Sequence, residues 1–391
     1  MSHAKKPRLL MTVYDKIEFN GRALRAVESL AAHYELAVVS LRSPNAGLPD
    51  GFRSIQVSQP RARWLKYPGR IWFWLRMVLA AIVFRPSAVY AHNFLLCLPG
   101  WLAARAASAR FIYDAHELNI PGSEDRSSLR TSLFYWFERL TIHRADLVIA
   151  ANAERAALMQ EHYGLSHLPL VIRNTIPEPH DDQGLMDDLL RRYPRLRRNG
   201  RVRFVYQGNM STSRGIDAFV QAVQEISDRC ELLLVGDGPD YPALQRMAAE
   251  SSRPDAFILL GRIPQSDLLA VTTTADVGIV TYPSKGLNNI YCASTKVHEY
   301  TQAGVPILTT DQPALRAAAE EYGIGLACDI RAANPAAIAS TMLRLAQDLT
   351  RYRRNLPRFC RNHRWADDAA RLTAAVAAIA CPAPQSLRKA A

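Results

Sequence analysis

Short apolar runs rich in β-branched residues recur along this chain, each followed by a longer amphipathic stretch, and this alternation constrains the fold more than any other feature. It is the pattern of a parallel sheet with crossover helices. Strands are predicted at Arg8–Tyr14, Glu35–Leu41, Ala88–Ala91, Arg110–Tyr113, Asp146–Ala150 and Leu170–Ile172, with helices over Leu24–Ala32, Leu129–His143 and Glu154–Tyr163. From Asn174 to Arg203 the pattern fails: NTIPEPHDDQG brings proline, glycine and charge, and RRYPRLRRNGRVR follows with arginines and no acid. The alternation then restarts in RFVYQG, ELLLVG, FILLG, DVGIV and PILTT.

The expected fold is therefore α/β, with two Rossmann-like domains. Residues 1–178 form the first, 179–200 a linker, 201–350 the second, and 351–391 a tail. The tail is read as a basic loop, Trp365 and a helix over Ala366–Ala380 that packs back toward the N-terminal domain. A chain of 391 residues is long enough for two such domains at about 100–200 residues each.

Hydrophobic residues make up 49% and charged residues 21%, an ordinary globular composition. The six cysteines are scattered, with no C-x-x-C pair and no zinc spacing, which suits reduced intracellular thiols. The first apolar run is too short for a signal-peptide core, so a cytoplasmic location is expected.

The net charge of +12 implies an anionic partner, and from Gly51 to Tyr113 there is no acid at all. Arg53, Arg61, Arg63, Lys66, Arg70, Arg76, Arg85, Arg105 and Arg110 all fall in that stretch, so one face of the first domain should be positive. RRYPRLRRNGRVR lacks the interleaved aromatics of a base-stacking surface, and no nucleic-acid partner is expected. WLKYPGRIWFWLRMVLAAIVF, Trp64–Phe84, sets aromatics and cations beside an apolar run. The 14 residues Ile71–Phe84 are too few to span a bilayer, which takes about 20. Two readings stand: an interfacial helix on an anionic membrane surface, or a buried helix whose basic residues face water.

The second domain holds the more specific motifs. GNMSTSRG places Gly208 after a strand and Arg214–Gly215 before a helix, where a phosphate can approach the backbone and meet unpaired N–H groups. A tight turn with a solvated arginine fits those residues equally. Gly236 and Gly238 in VGDGPD repeat the theme, although turn glycines after strands are common without a ligand. In STKVHEYTQAGVPI, Ser294, Thr295 and Lys296 open a helix suited to a diphosphate. Glu299, three residues beyond Lys296, shares its face and can accept from ribose hydroxyls. A capped helix with a surface Lys–Glu pair is the plainer alternative.

On these motifs the chain resembles the family-4 glycosyltransferases, retaining enzymes of GT-B fold that use nucleoside diphosphate sugars. The resemblance implies two Rossmann-like domains facing each other across a cleft, with the acceptor on the first and the donor on the second. It assigns Arg214 and Lys296 to the diphosphate, Glu299 to the ribose, and Arg262–Ile263 of GRIPQSDL to the base. In the first domain, FIYDAHEL resembles the strand-end histidine motif and puts His116 beside the reacting centre, where it orients the sugar or acceptor. Asn20–Gly21 takes the place of the glycine-containing first loop, and YAHN, ADLVIAAN and VIRNTIP follow in family order.

Two departures stand out. Many members carry a second glutamate eight positions before the first; here that position is Tyr291, with Asn288 and Asn289 as further polar substitutes. Asn209 stands where an arginine often follows the turn glycine. The resemblance implies a nucleoside diphosphate sugar as co-substrate, UDP or GDP as its nucleotide, a glycan or lipid-linked acceptor, a role in surface polysaccharide synthesis, and no other cofactor. No D-x-D cluster lies near these loops, so no metal is expected. A weakened or silent scaffold and a sugar-nucleotide epimerase are the competing readings; the epimerase needs converging carboxylates, for which the sequence offers mainly Asp114 and Glu117.

Overall fold

The computed structural model describes residues 6–42, 51–60, 62, 66–120, 129–178, 185–329 and 334–380. Arg61, Arg63, Trp64, the acidic pair Asp181–Asp182 and the end of the tail from residue 381 lie outside the described residues. The chain divides into two compact units, Met1–Arg173 with Ala366–Ala391, and Asn174–Trp365.

The first unit is built on one parallel sheet of β1 (Arg8–Val13), β2 (Glu35–Leu41), β3 (Arg53–Val57), β4 (Ala88–His92), β5 (Arg110–Ala115), β6 (Leu147–Ala150) and β7 (Leu170–Val171), in the order 3-2-1-4-5-6-7. The strands are joined through α1 (Gly21–Ala31), α2 (Lys66–Phe84), α3 (Cys97–Ala106), α4 (Leu129–Thr141) and α5 (Ala153–Tyr163). The second unit begins with α6 (Leu185–Arg192). Its sheet holds β8 (Val202–Gln207), β9 (Cys230–Val235), β10 (Phe257–Gly261), β11 (Val277–Val280), β12 (Ile307–Thr310) and β13 (Gly325–Cys328), ordered 10-9-8-11-12-13 and also wholly parallel.

Its remaining helices are α7 (Ile216–Glu225), α8 (Tyr241–Ala249), α9 (Gln265–Thr273), α10 (Leu287–Ile290), α11 (Thr295–Gln302), α12 (Pro313–Arg316), α13 (Pro335–Gln347) and α14 (Leu349–Asn362). α15 (Trp365–Ala380) carries the chain back into the first unit, where the fully buried Asp368 accepts from Arg173 Nε at 3.0 Å. Both strand orders reverse direction once, between β1 and β4 and between β8 and β11. Ligands of doubly wound sheets bind at the carboxyl ends of the strands beside such a reversal.

Four expectations need correction. β3 escapes the sequence pattern because RSIQV is an edge strand, largely exposed and with a charge at its start. β13 escapes because GLAC is only four residues long, begins with glycine and is part-exposed at its two central residues. The arginine-dense stretch after residue 184 is no open linker: Leu189 and Leu196 sit in the core of the second unit, and distant acids neutralise its cations. Arg203, fully buried, donates to Glu231 at 2.5 Å, Arg198 to Asp276 at 2.5 Å, and Arg201 to Asp255 at 2.6 Å. Finally, the basic loop predicted after Arg351 is helical, because Tyr352, Leu356 and Phe359 recur on one face and are buried.

α2 combines the two readings of its segment and extends beyond the 14 apolar residues. Phe73, Met77, Ala81 and Phe84 are buried in the first unit, while Ile71, Trp72, Leu75, Leu79, Ile82 and Val83 are exposed. By length and composition Tyr67–Phe84 is the one described helix apolar and long enough to cross a membrane, but its inner face is already committed to the core.

Candidate functional site

In the second unit, β8 ends at Gln207 and the chain turns through Gly208 at φ +132°. A Cβ on Gly208 would lie 2.9 Å from Lys296 Cε and 3.2 Å from its Nζ, so the ammonium rests against this turn, whose positive φ favours glycine. Gly236 and Gly238 are glycine for another reason. A Cβ on Gly236 would stand 2.0 Å from the Gly208 carbonyl oxygen, and one on Gly238 2.4 Å from that of Met210. These two residues let the loops after β8 and β9 touch backbone to backbone, where the sequence had suggested room for a ligand.

The loop after Gly208 is held at several points. Thr212 donates to Asp240 through its N–H at 2.7 Å and its hydroxyl at 2.9 Å, and the Tyr206 hydroxyl donates to the Asn209 carbonyl at 2.9 Å. Gly215, at φ +73°, starts α7. The Arg214 guanidinium lies 5.0 Å from the centre of the Tyr282 ring, and the Arg214 carbonyl accepts from the Thr281 hydroxyl. Burial pushes the Tyr206 phenol up to about 12, against the opposing pull of nearby Arg214. Thr281 directly follows β11, so Gly208, Arg214 and Thr281 flank the reversal between β8 and β11.

α11 supplies the other side. Ser294 occupies its N-cap position without a capping bond, and its buried hydroxyl has no partner. Lys296 has no ion pair among the described residues. One Glu299 oxygen accepts from Gln207 Nε2 at 2.6 Å, while Gln207 Oε1 meets the Thr272 hydroxyl at 2.9 Å and the Gln207 N–H meets the Tyr300 hydroxyl at 3.1 Å. The second Glu299 oxygen is left open.

Gln207 is absent from the sequence reading because a glutamine ending an apolar strand carries no motif signal. Thr295 is the first residue of α11 and half-buried, Arg262 is exposed after β10, and Ile263 packs on the core. Asn289, within α10, donates back to the Lys285 carbonyl at 2.8 Å, and Tyr291 caps α10.

In the first unit, Asn20 caps α1 by accepting from the Ala23 N–H at 3.1 Å, which places Gly21 at the exposed first position. Arg22, next in sequence, is buried. Its Nε donates to both Asp114 oxygens at 3.1 Å and its Nη2 to Oδ1 at 2.9 Å, while the Tyr90 hydroxyl donates to Oδ2 at 2.9 Å. Burial disfavours the charged carboxylate, but Arg22 and the two histidines hold Asp114 well below the usual range.

His92 Nδ1 lies 2.8 Å from His116 Nε2 and 3.5 Å from Asp114 Oδ2. A bare lone pair at Nδ1 would face the carboxylate, so the proton sits on His92 Nδ1 and His116 Nε2 accepts it. His116 therefore presents an Nδ1–H. Burial, His92 and Arg22 keep His116 neutral, well below its ordinary value despite Asp114.

His92, Asp114 and His116 are the one group among the described residues with metal-ligand atoms within 4.8 Å of one another. The arginine fork on the carboxylate and the histidine–histidine bond already use the lone pairs a cation would need.

His92 also sets a pH dependence. Burial lowers it from 6.5 to about 4, so between those values the unfolded chain binds more protons and stability rises with pH. The contribution, about 3 kcal/mol by the usual conversion, is complete above pH 6.5 and is lost as the pH falls toward 4. His92→Gln should flatten that limb of the urea-midpoint curve; an unchanged slope from pH 7 to 4.5 would remove this assignment.

Two doubly wound units in series, each with its polar residues at a strand-order reversal, make this a GT-B protein. Residues 20–175 match the glycosyl transferase 4-like domain and residues 201–348 match the glycosyl transferases group 1. The chain belongs to that glycosyltransferase family, whose members use a nucleotide sugar as donor.

It is 22% identical over 241 residues to the 2-deoxystreptamine glucosyltransferase of Streptomyces kanamyceticus, a match spanning 59% of this chain and 57% of that one, little more than half its length. Its fold is similar to that of Anabaena Alr3699/HepE in complex with UDP-glucose, with a TM-score of 0.74, 13% identity, and coverage of 95% of this chain and 99% of that one. A glycosyltransferase from Rickettsia africae gives 0.73 at 13% identity, covering 97% and 100%. WaaG, a glycosyltransferase involved in lipopolysaccharide biosynthesis, gives 0.67 at 13%, covering 95% and 97%.

Proposed function

We propose that this glycosyltransferase retains anomeric configuration and, without a metal, moves a sugar from a uridine diphosphate donor to a glycan or lipid-linked acceptor in surface polysaccharide synthesis. The observation that carries the donor assignment is the Lys296 ammonium resting against Gly208, at the N-terminus of α11 and the reversal of the sheet. Breaking the sugar–phosphate bond puts negative charge on the leaving diphosphate, and fixed cations and helix N–H groups stabilise it there. Lys296, Arg214 and the starts of α7 and α11 supply them.

The open oxygen of Glu299 accepts from a ribose hydroxyl. His116, as an Nδ1–H donor, orients a sugar or acceptor hydroxyl, and the leaving phosphate takes the acceptor proton. The choice of uridine draws on the Anabaena neighbour, which binds UDP-glucose; guanosine is the alternative. Arg262–Ile263 would meet the base, and Asn288, Asn289 and Tyr291 would read the sugar.

A thermal-shift comparison of UDP, GDP, ADP and dTDP tests the reading. UDP should stabilise the wild type, and Glu299→Ala should remove most of that shift. If no nucleotide stabilises the wild type, the donor site is wrong; binding with no turnover on any sugar would make the chain a silent scaffold.

The acceptor and location are argued from the surface of the first unit. Besides the outer face of α2, α4 exposes Leu133, Trp136 and Leu140, and the two helices meet where Trp74 packs edge-on against Phe134 and Phe137. Across α2, α3 and α4 the lone acid, Glu138, is buried, whereas Arg85, Arg105, Arg139 and Arg144 are exposed. An apolar surface on helices that expose cations and no acid suits the cytoplasmic leaflet of an anionic membrane. The protein should float with phosphatidylglycerol vesicles at low salt and release partly at high salt. Absence of binding at either salt would end the membrane assignment.

A further inference from the structure

Arg70 is only 5% exposed, yet its Nε and Nη1 have no hydrogen-bond partner, and among the described residues it has no ion pair. Buried arginines are ordinarily paired, because a desolvated guanidinium leaves five strong donors unsatisfied. No acid occurs anywhere from Gly51 to Tyr113 to pair with it. The guanidinium lies over two rings instead, 5.3 Å from the centre of Tyr14 and 5.0 Å from that of Phe134. Ring faces stabilise the charge but satisfy none of the N–H groups, which lie in the guanidinium plane.

One turn along α2, Trp74 packs against the same Phe134 with ring centres 6.5 Å apart, and its indole N–H is also buried without a partner. Two neighbouring side chains that can only donate are thus both unsatisfied, and both border one phenylalanine.

Their place in the fold is equally specific. Tyr14 is the first residue after β1, and Phe94, 6.1 Å from Phe134, follows β4. The donors therefore sit at the reversal between β1 and β4, on the carboxyl edge where His92 and His116 also lie.

We infer that Arg70 and Trp74 form an anion-binding site in the first unit, which takes a phosphate or diphosphate group of the acceptor. The site itself follows from the unpaired donors; its assignment to the acceptor rests on the transferase reading above. An oxyanion in the guanidinium plane on the Nε–Nη2 edge satisfies Nε, a second oxyanion on the opposite edge would satisfy Nη1, and the indole N–H adds a neutral donor. The surrounding rings exclude water.

The test uses the full chain with UDP held at saturation, so that pyrophosphate cannot act through the donor site. Inorganic pyrophosphate should raise the melting temperature of the wild type, and Arg70→Met should weaken that binding by about tenfold or more. Without ligand, Arg70→Met should itself melt roughly 2–4 °C higher, because it replaces an unpaired buried cation by an apolar side chain of similar length. The UDP shift should be unchanged, which separates failure here from failure of the donor site.

Vesicles of phosphatidylglycerol form the second arm. Arg70-dependent vesicle binding without a pyrophosphate effect identifies a lipid headgroup as the source, and the converse identifies a soluble phosphate ester. If Arg70→Met lowers the melting temperature and neither probe depends on Arg70, the side chain is a structural cation and the site does not exist.

Discussion

Lys296→Met should lower turnover by about 10²–10³-fold while leaving the fold intact. The substitution keeps most of the apolar stem and removes the charge from the place where the leaving diphosphate develops its own. Because that charge grows as the bond breaks, kcat and kcat/KM should fall together, with less change in nucleotide affinity. Lys296 is half-buried and makes no ion pair among the described residues, so stability should move by no more than about 0.5 kcal/mol.

A second substitution reaches the same group without removing it. Gly208→Ala would put a methyl 2.9 Å from Lys296 Cε and displace the ammonium, so it should reproduce much of the loss. Its backbone strain at φ +132° adds a stability penalty that Lys296→Met lacks. Turnover of Lys296→Met within a few-fold of wild type would show that the ammonium is not at the phosphate.

How far the fold could be read follows from how far apart the interacting residues are. Buried parallel strands announce themselves locally, and so do the glycine turn at Gly208 and the helix start at Ser294–Lys296, because strand, turn and helix are consecutive. The arginines between Arg191 and Arg203 read as linker because their partners, Glu231, Asp255, Asp267 and Asp276, lie far along the chain. Only the folded sheet brings them together. Arg22 and Asp114 are separated in the same way, by 92 positions, so the His116 motif was visible while the arginine that anchors its aspartate was not. Gly236 and Gly238 show the reverse case. Their spacing left a ligand and a plain turn both open, and the Gly208 and Met210 backbone fills the space a Cβ would take.

Gln207 was the least visible part of the donor site, and its removal is the second large effect expected. Gln207→Leu preserves shape but deletes the 2.6 Å bond to Glu299. The Thr272 hydroxyl still has the Leu268 carbonyl at 2.6 Å, so little buried polarity is orphaned. Hydrogen bonds to a charged group contribute about 1.5–3 kcal/mol, so losing the one that aims Glu299 should weaken UDP by about 10-fold or more.

A general loosening of the unit would give a similar number, and ribose discrimination separates the two. Wild type should prefer UDP over its 2′-deoxy,3′-deoxy analogue; Glu299→Ala and Gln207→Leu should each lose that preference. The double variant should be little worse than Glu299→Ala alone, because both changes interrupt one interaction. Gln207→Glu supplies the electrostatic counterpart: two carboxylates would then share the contact, so binding should weaken at pH 8 and recover partly as one of them takes a proton. Additive losses in the double variant, with ribose discrimination retained in Gln207→Leu, would make Gln207 a core residue that happens to lie beside the site.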